Sequence, residues 1–232
     1  MYTLLINGCS FARIWDPTDS FVRSLNCNQT INIGKDGTSL PRTVRSTIEW
    51  IAQNGNPNFV IIPITLCTRW ELSIAQADNL LDGTWYPMQI REYLQKNKIS
   101  RDIDFERLEQ LSDLYYASIP NCRTYYDRAF TDIITLAGFL DYKKIDYLMF
   151  DMCNNFILEH LIGYNGFHKI KFLKQNKKII DLFDFCGNRF MYESIQNEEE
   201  KNKTDPYMHH HASAQYRSLE QYLLSYLQLQ KN

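Results

Sequence analysis

Four short polar clusters hold the residue types that could do chemistry. Asn7-Gly8-Cys9-Ser10-Phe11 places a hydroxyl behind an Asn-Gly pair, and Gly34-Lys35-Asp36-Gly37-Thr38-Ser39 offers glycines and hydroxyls together. Thr65-Leu66-Cys67-Thr68-Arg69 joins a hydroxyl to a guanidinium, and the run from Asp205 to Ser213 brings a carboxylate to His209, His210 and His211. A serine hydroxyl becomes nucleophilic beside a base that takes its proton, and imidazole is the usual base. Each cluster also has a plainer meaning. Asn-Gly-Cys-Ser is a turn after a strand, Thr65 ends a strand, and Arg69 pairs with an acid such as Glu71. Three successive histidines suggest a metal, but adjacent residues rarely point at one ion and no Cys or carboxylate stands at ligand spacing, so no metal is expected. Gly34-x-x-Gly37 matches neither GxGxxG nor GxxxxGK[ST], so no dinucleotide is expected and the chain is read as cofactor-free.

The elements that must position these clusters follow from periodicity. Residues 2–6 (YTLLI) form a short apolar run stopped by Asn7-Gly8, as in a central parallel strand buried on both faces. A second strand is expected at 28–33, closed by Gly34 to Gly37, and a third at 58–64. Between them Ser39 or Thr38 suits an N-cap, Pro41 suits the first turn, and Val44, Ile48 and Ile51 recur at helical spacing. Residues 66–119 lose the pattern and read as a partly helical insertion after strand three. A helix resumes near residue 121 with Tyr125, Ala129, Ile133, Leu136 and Leu140 on one face, leading to a fourth strand at 145–150. A weaker fifth strand is expected at 178–182, a charged loop at 196–205, and an amphipathic helix at 212–229 that packs on the sheet. This alternation predicts a flavodoxin-like three-layer α/β/α sandwich on a parallel sheet of about five strands, as a single domain over 1–232. Open parallel sheets bind ligands beyond the carboxyl ends of their strands, and that edge is where the four clusters fall.

Composition narrows the function classes. The chain has 232 residues, 44% hydrophobic and 22% charged, which is ordinary globular usage. A formal charge of −2 gives no reason to expect a nucleic-acid backbone or an anionic membrane as partner. No apolar stretch approaches the roughly 20 residues that cross a bilayer. Six widely spaced cysteines without CxxC suggest neither a zinc ribbon nor a disulfide framework. With no basic leader at MYTLLINGCSF, the expectation is a cytoplasmic protein. Fifteen Tyr and 13 Phe read as an aromatic core or as a surface that stacks on sugars. Asp151, Asp181 and Asp184 are candidate acids at strand ends, with Asp151 read as a cap on the segment that follows it. His160 and His168 are read as structural histidines in apolar surroundings.

NGCSF after the first strand resembles the first block of the SGNH/GDSL hydrolases, in the variant with Cys where Asp usually precedes the serine. INIGKDGTSLPRTV is similar to the second block, Asn-x-x-x-x-Gly-x-Ser leading into a helix, and HHHASAQYRSLEQYL to the fifth, with Ala212 replacing Pro. The resemblance implies a serine esterase acting on a small acyl ester, with O-acetyl saccharide as the plausible class, or transferring the acyl group to another sugar. Ser10 would be the nucleophile and His211, whose HAS context matches best, the base. His209 and His210 remain alternatives. Asp205 is the nearest acid, although the family places it two or three residues before the histidine, where Met208 and His209 stand. The N–H groups of Ser10 and Gly37 would form the oxyanion hole. The third block's Asn is absent, and Thr65 with Arg69 looks similar to phage and marine-bacterial substitutes. Arg69, Ser39 and Trp70 are the implied substrate contacts. A binding module with a degenerate site is the alternative.

Overall fold

The computed structural model describes residues 2–9, 12, 15, 22–23, 27–35, 38–65, 67, 106, 110, 114, 123–151, 166–181, 221 and 223–225. Five strands appear among them: β1 (Thr3–Ile6), β2 (Gln29–Asn32), β3 (Phe59–Ile64), β4 (Asp146–Asp151) and β5 (Ile179–Asp181). Three helices join them, α1 (Leu40–Asn54), α2 (Arg123–Tyr142) and α3 (Phe167–Gln175). All four strand pairings are parallel, in the order β2-β1-β3-β4-β5. This is the flavodoxin-like order, whose switch point lies between β1 and β3.

Strand alternation sorts the core into two faces. Leu5, Val60, Ile62, Ile64, Tyr147 and Met149 point to one side, where they meet Val44 and Ile51 of α1, Phe130 and Ile133 of α2, and Leu173 of α3. Leu4, Ile6, Phe59, Ile61, Leu148 and Phe150 point to the other, where Ala12, Trp15, Val22 and Leu223 cover them. Trp15 meets Phe150 edge-on at 5.6 Å between ring centroids. Val22 and Leu223 both have helical backbone, so helical segments lie on both faces and the molecule has three layers. Each fully buried aliphatic or aromatic side chain contributes about 1.5–3 kcal/mol relative to exposure. The strands are continuous apolar runs because both faces are covered.

α1 begins where its sequence says it should. Ser39 has extended backbone (φ −81°, ψ 161°), its Oγ accepts the Arg42 N–H, and Pro41 sits in the first turn. Gly55 ends the helix at φ 89°, donating its N–H to the Ile51 carbonyl at 3.0 Å. Leu40, Val44 and Ile51 face the sheet. No helix among the described residues is long and apolar enough to cross a membrane.

One element is not anticipated from the sequence and one expectation needs correcting. The stretch between strands four and five is assigned no element from its sequence, and it holds α3, with Ile170 and Leu173 buried while Phe167 and Phe172 stay about half exposed. Apolar residues on its outer side blur the helical pattern. His168, expected among apolar neighbours, is exposed in the first turn of α3. The expected insertion at 66–119 lies outside the described residues apart from Cys67, Glu106, Gln110 and Leu114.

Candidate active site

The described buried polar and charged residues are Asn7, Thr38, Ser39, Thr43, Thr47, Thr65 and Asp151. Every one lies beyond the carboxyl ends of the strands, at the last residue of one, or on the half of α1 that packs there. The apolar core occupies the rest of the interior. Burying polar groups costs free energy unless they are hydrogen-bonded, so their collection at one edge marks a built polar region.

Asn7 is the anchor of that region. Its backbone N–H continues the ladder to the Ile61 carbonyl at 3.1 Å. Its Nδ2 donates to the Thr43 carbonyl at 2.9 Å, Ser46 Oγ at 2.9 Å and Thr47 Oγ1 at 2.8 Å. Its Oδ1 accepts from Gly8 N at 2.9 Å. A strand end is thereby tied to the first half of α1, whose Thr43, Ser46 and Thr47 form a polar stripe at i, i+3, i+4 spacing.

Gly8 then turns the chain away from the sheet. Its φ is +155°, and a Cβ there would stand 2.9 Å from Pro63 Cγ, 3.0 Å from the Pro63 carbonyl oxygen and 3.1 Å from Ala12 Cβ. Only glycine fits so close a backbone approach. The same contact explains a proline in a central strand. Alternate residues of β3 direct their backbone polar groups to alternate neighbours, and Ile61 faces β1. Pro63, two residues on, faces the same way, where β1 has already ended at Ile6, so no ladder donor is missing.

Asn32, the last residue of β2, holds the segment beyond the turn. Its Nδ2 donates to the carbonyls of Ala12 (2.7 Å) and Trp15 (2.9 Å), and its Oδ1 accepts from Gly34 N at 2.8 Å. Lys35 N donates to the Gly8 carbonyl at 2.9 Å, and Ala12 N to the Cys9 carbonyl at 2.9 Å. The segments after β1 and after β2 are thus bonded to each other through both backbone and side chain. Thr38 and Ser39 close the second segment: Arg42 Nη1 donates to Thr38 Oγ1 at 3.3 Å, and Ser39 Oγ serves the α1 cap.

On the far side of the switch point Thr65 follows β3 at 1% exposure, and Asp151 ends β4 at 1% exposure. In register, Asp151 stands between Ile64 and Asp181, so it is a strand residue inside the sheet. Asp151 is the one charged residue among the described buried ones. Of the residues expected to form the site, Ser39 and Thr65 are therefore placed at the carboxyl edge. Ser10, Gly37, Arg69, Trp70, Asp205, His209, His210 and His211 lie outside the described residues, as do Asp184 and His160. Ser10 directly follows Cys9, a buried residue just past Gly8. Cys9 and Cys67 are buried, and Cys27 is half-buried.

Sequence reasoning passed over Asn7 and Asn32 as anchors. The signal for Asn7 was the hydroxyl stripe on an otherwise apolar helix face. Asn32 is the asparagine of the Asn-x-x-x-x-Gly-x-Ser pattern, but its partners are backbone carbonyls, which the pattern does not reveal. Compared with known proteins, the chain matches no protein-family model and no curated protein.

Proposed function

We propose that the protein is a serine esterase of the SGNH/GDSL type that hydrolyses a small acyl ester, with O-acetyl groups on a saccharide as the substrate class. One observation carries the reading: the described buried polar residues gather at the β1/β3 switch-point edge, where Gly8 turns the chain directly ahead of Ser10. Ligands of open parallel sheets bind in the crevice at such a point.

The chemistry follows from the residue types. Ser10 Oγ attacks the ester carbonyl carbon while an imidazole, His211 in the best sequence match, takes its proton. The carbonyl oxygen becomes an oxyanion held by the N–H groups of Ser10 and Gly37, with the Thr65 hydroxyl as a further donor. Collapse breaks the carbon–alkoxy bond, and the imidazolium returns the proton to the leaving alcohol. Water then attacks the acyl-serine, gives its proton to the same imidazole, and the acid leaves with Ser10 restored. Asp205 would orient the imidazole, and Arg69 and Trp70 would contact the substrate. Ser39 supports the site through the helix cap it forms. The reaction needs no cofactor.

A second reading is a saccharide-binding module on the same fold. The sequence after β3, Thr65-Leu66-Cys67-Thr68-Arg69, favours it because no asparagine is present to serve the oxyanion.

Hydrolysis of p-nitrophenyl acetate by the wild type, Ser10→Ala and His211→Ala separates the two. The esterase reading expects a drop of about 10³-fold or more in kcat for both variants. It also expects a fluorophosphonate adduct on the wild type that Ser10→Ala lacks. A dead Ser10→Ala beside an active His211→Ala moves the base to His209 or His210. Equal inertness of wild type and Ser10→Ala to both reagents supports the binding module.

A further inference from the structure

We propose that Asn32 is a positioning residue that fixes the spacing between the segment carrying Ser10 and the segment carrying Gly37; the inference rests on the esterase reading for its catalytic consequence but not for its structural content. The two segments follow different strands. Nothing in the covalent chain holds them at a set separation, because residues 16–31 intervene. An oxyanion hole built from one N–H on each segment works only if that separation is held within a few tenths of an ångström.

Asn32 is built for the task. It ends β2, one strand away from β1, and its position is set by the ladder partner Ile6. Its amide hydrogens both reach across to the β1 segment, to the carbonyls of Ala12 at 2.7 Å and Trp15 at 2.9 Å. Its carbonyl oxygen turns the other way and accepts from Gly34 N at 2.8 Å, on its own segment. A planar amide holding both donors and the acceptor at once cannot rotate without losing a bond. No other residue type offers two donors and an acceptor in this short, rigid group. The backbone bond from Lys35 N to the Gly8 carbonyl (2.9 Å) sets a second strut ahead of Ser10 in the chain, while Asn32 grips Ala12 and Trp15 after it. Ser10 is bracketed in sequence by these two attachments.

A merely structural asparagine would lower stability when replaced and leave the turnover of folded molecules unchanged. A positioning residue would lower turnover in molecules that remain folded. Asn32→Asp keeps the size and the acceptor for Gly34 N–H but has no donor for the two carbonyls, and Asn32→Ala removes all three bonds. Ile133→Ala, in α2 on the helical face, is the control that lowers stability elsewhere. The expected result is a fall in p-nitrophenyl acetate kcat and in fluorophosphonate inactivation rate of about 10²-fold for Asn32→Asp, with KM changed less than about threefold. Ile133→Ala should keep wild-type kcat below its own unfolding transition.

Hydrogen exchange provides the readout that does not depend on catalysis. Amides of residues 9–15 and of 33–38 should exchange faster together in both Asn32 variants, with β4 and α2 unaffected. If the two segments loosen separately or not at all, the coupling is wrong. If they loosen together while kcat stays at wild-type level, the positioning role is wrong. If the wild type is unreactive, or its fluorophosphonate adduct persists in Ser10→Ala, the esterase reading fails, and exchange alone decides whether Asn32 couples the segments. Should Asn32→Ala fail to fold, Asn32→Asp carries both measurements.

Discussion

At the residue scale, the turn after β1 is specified by what cannot be there. Of the neighbours that a Cβ at Gly8 would meet, the Pro63 ring could yield, whereas the Pro63 carbonyl oxygen, 3.0 Å from where an alanine methyl would stand, cannot. Gly8→Ala is expected to cost about 2–5 kcal/mol from strained backbone and overpacking combined, read as a lowered urea midpoint. Adding Pro63→Ala should return only part of that loss, because the backbone contact and the positive φ persist. Full recovery in the double variant would show the ring to be the whole obstacle. Asn-Gly was legible in the sequence as a stop to the strand. That the glycine must admit a proline from β3 was not, since 55 residues separate them and no local pattern links the two.

At the scale of elements, α1 is legible because all its signals are local: Ser39 at the cap, Pro41 in the first turn, and an apolar stripe at Val44 and Ile51. α3 is not, because Phe167 and Phe172 spread apolar character around its outer surface. α2 adds an electrostatic feature. Burial raises the Asp132 carboxyl above its ordinary value, and Arg128 opposes the shift. The folded state therefore holds the proton more tightly than the unfolded chain. The favourable contribution is complete below the ordinary carboxylate value and is lost as pH rises through the raised one. Asp132→Asn, which stays neutral, should match the wild type in acid and melt higher at neutral pH, by about 2 °C at most given the partial exposure. Thermal melts from about pH 3 to 7 test this. A variant that melts lower at neutral pH would mean that the carboxylate makes a favourable contact outweighing its desolvation.

At the scale of the molecule, the sheet is covered from one side by α1, α2 and α3 and from the other by pieces drawn from two distant parts of the chain. The strand count, their parallel sense and the three-layer arrangement were legible in apolar runs alternating with helical periods. The strand order follows from the same alternation only with the general preferences of such folds. The candidate site was legible as an edge and not as a set of contacts, because its anchors are amides bonded to residues far off in sequence. Leu223, fully buried against the second face, has helical backbone and falls within the 212–229 stretch expected to be a helix, of which residues 221 and 223–225 are described. Leu223→Ala should cost about 2–5 kcal/mol by urea denaturation. A chain shortened to residue 220 should bind the dye ANS strongly at the exposed face of Leu4, Ile61 and Phe150. Weak binding would mean that the remaining cover suffices. That late-coming leucine also sets a schedule for synthesis. β1, β3 and β4 leave the ribosome long before residue 223, so one side of the finished sheet waits with only part of its cover, Ala12, Trp15 and Val22, while the rest is translated, and it is during that interval that a chaperone would find its strongest foothold.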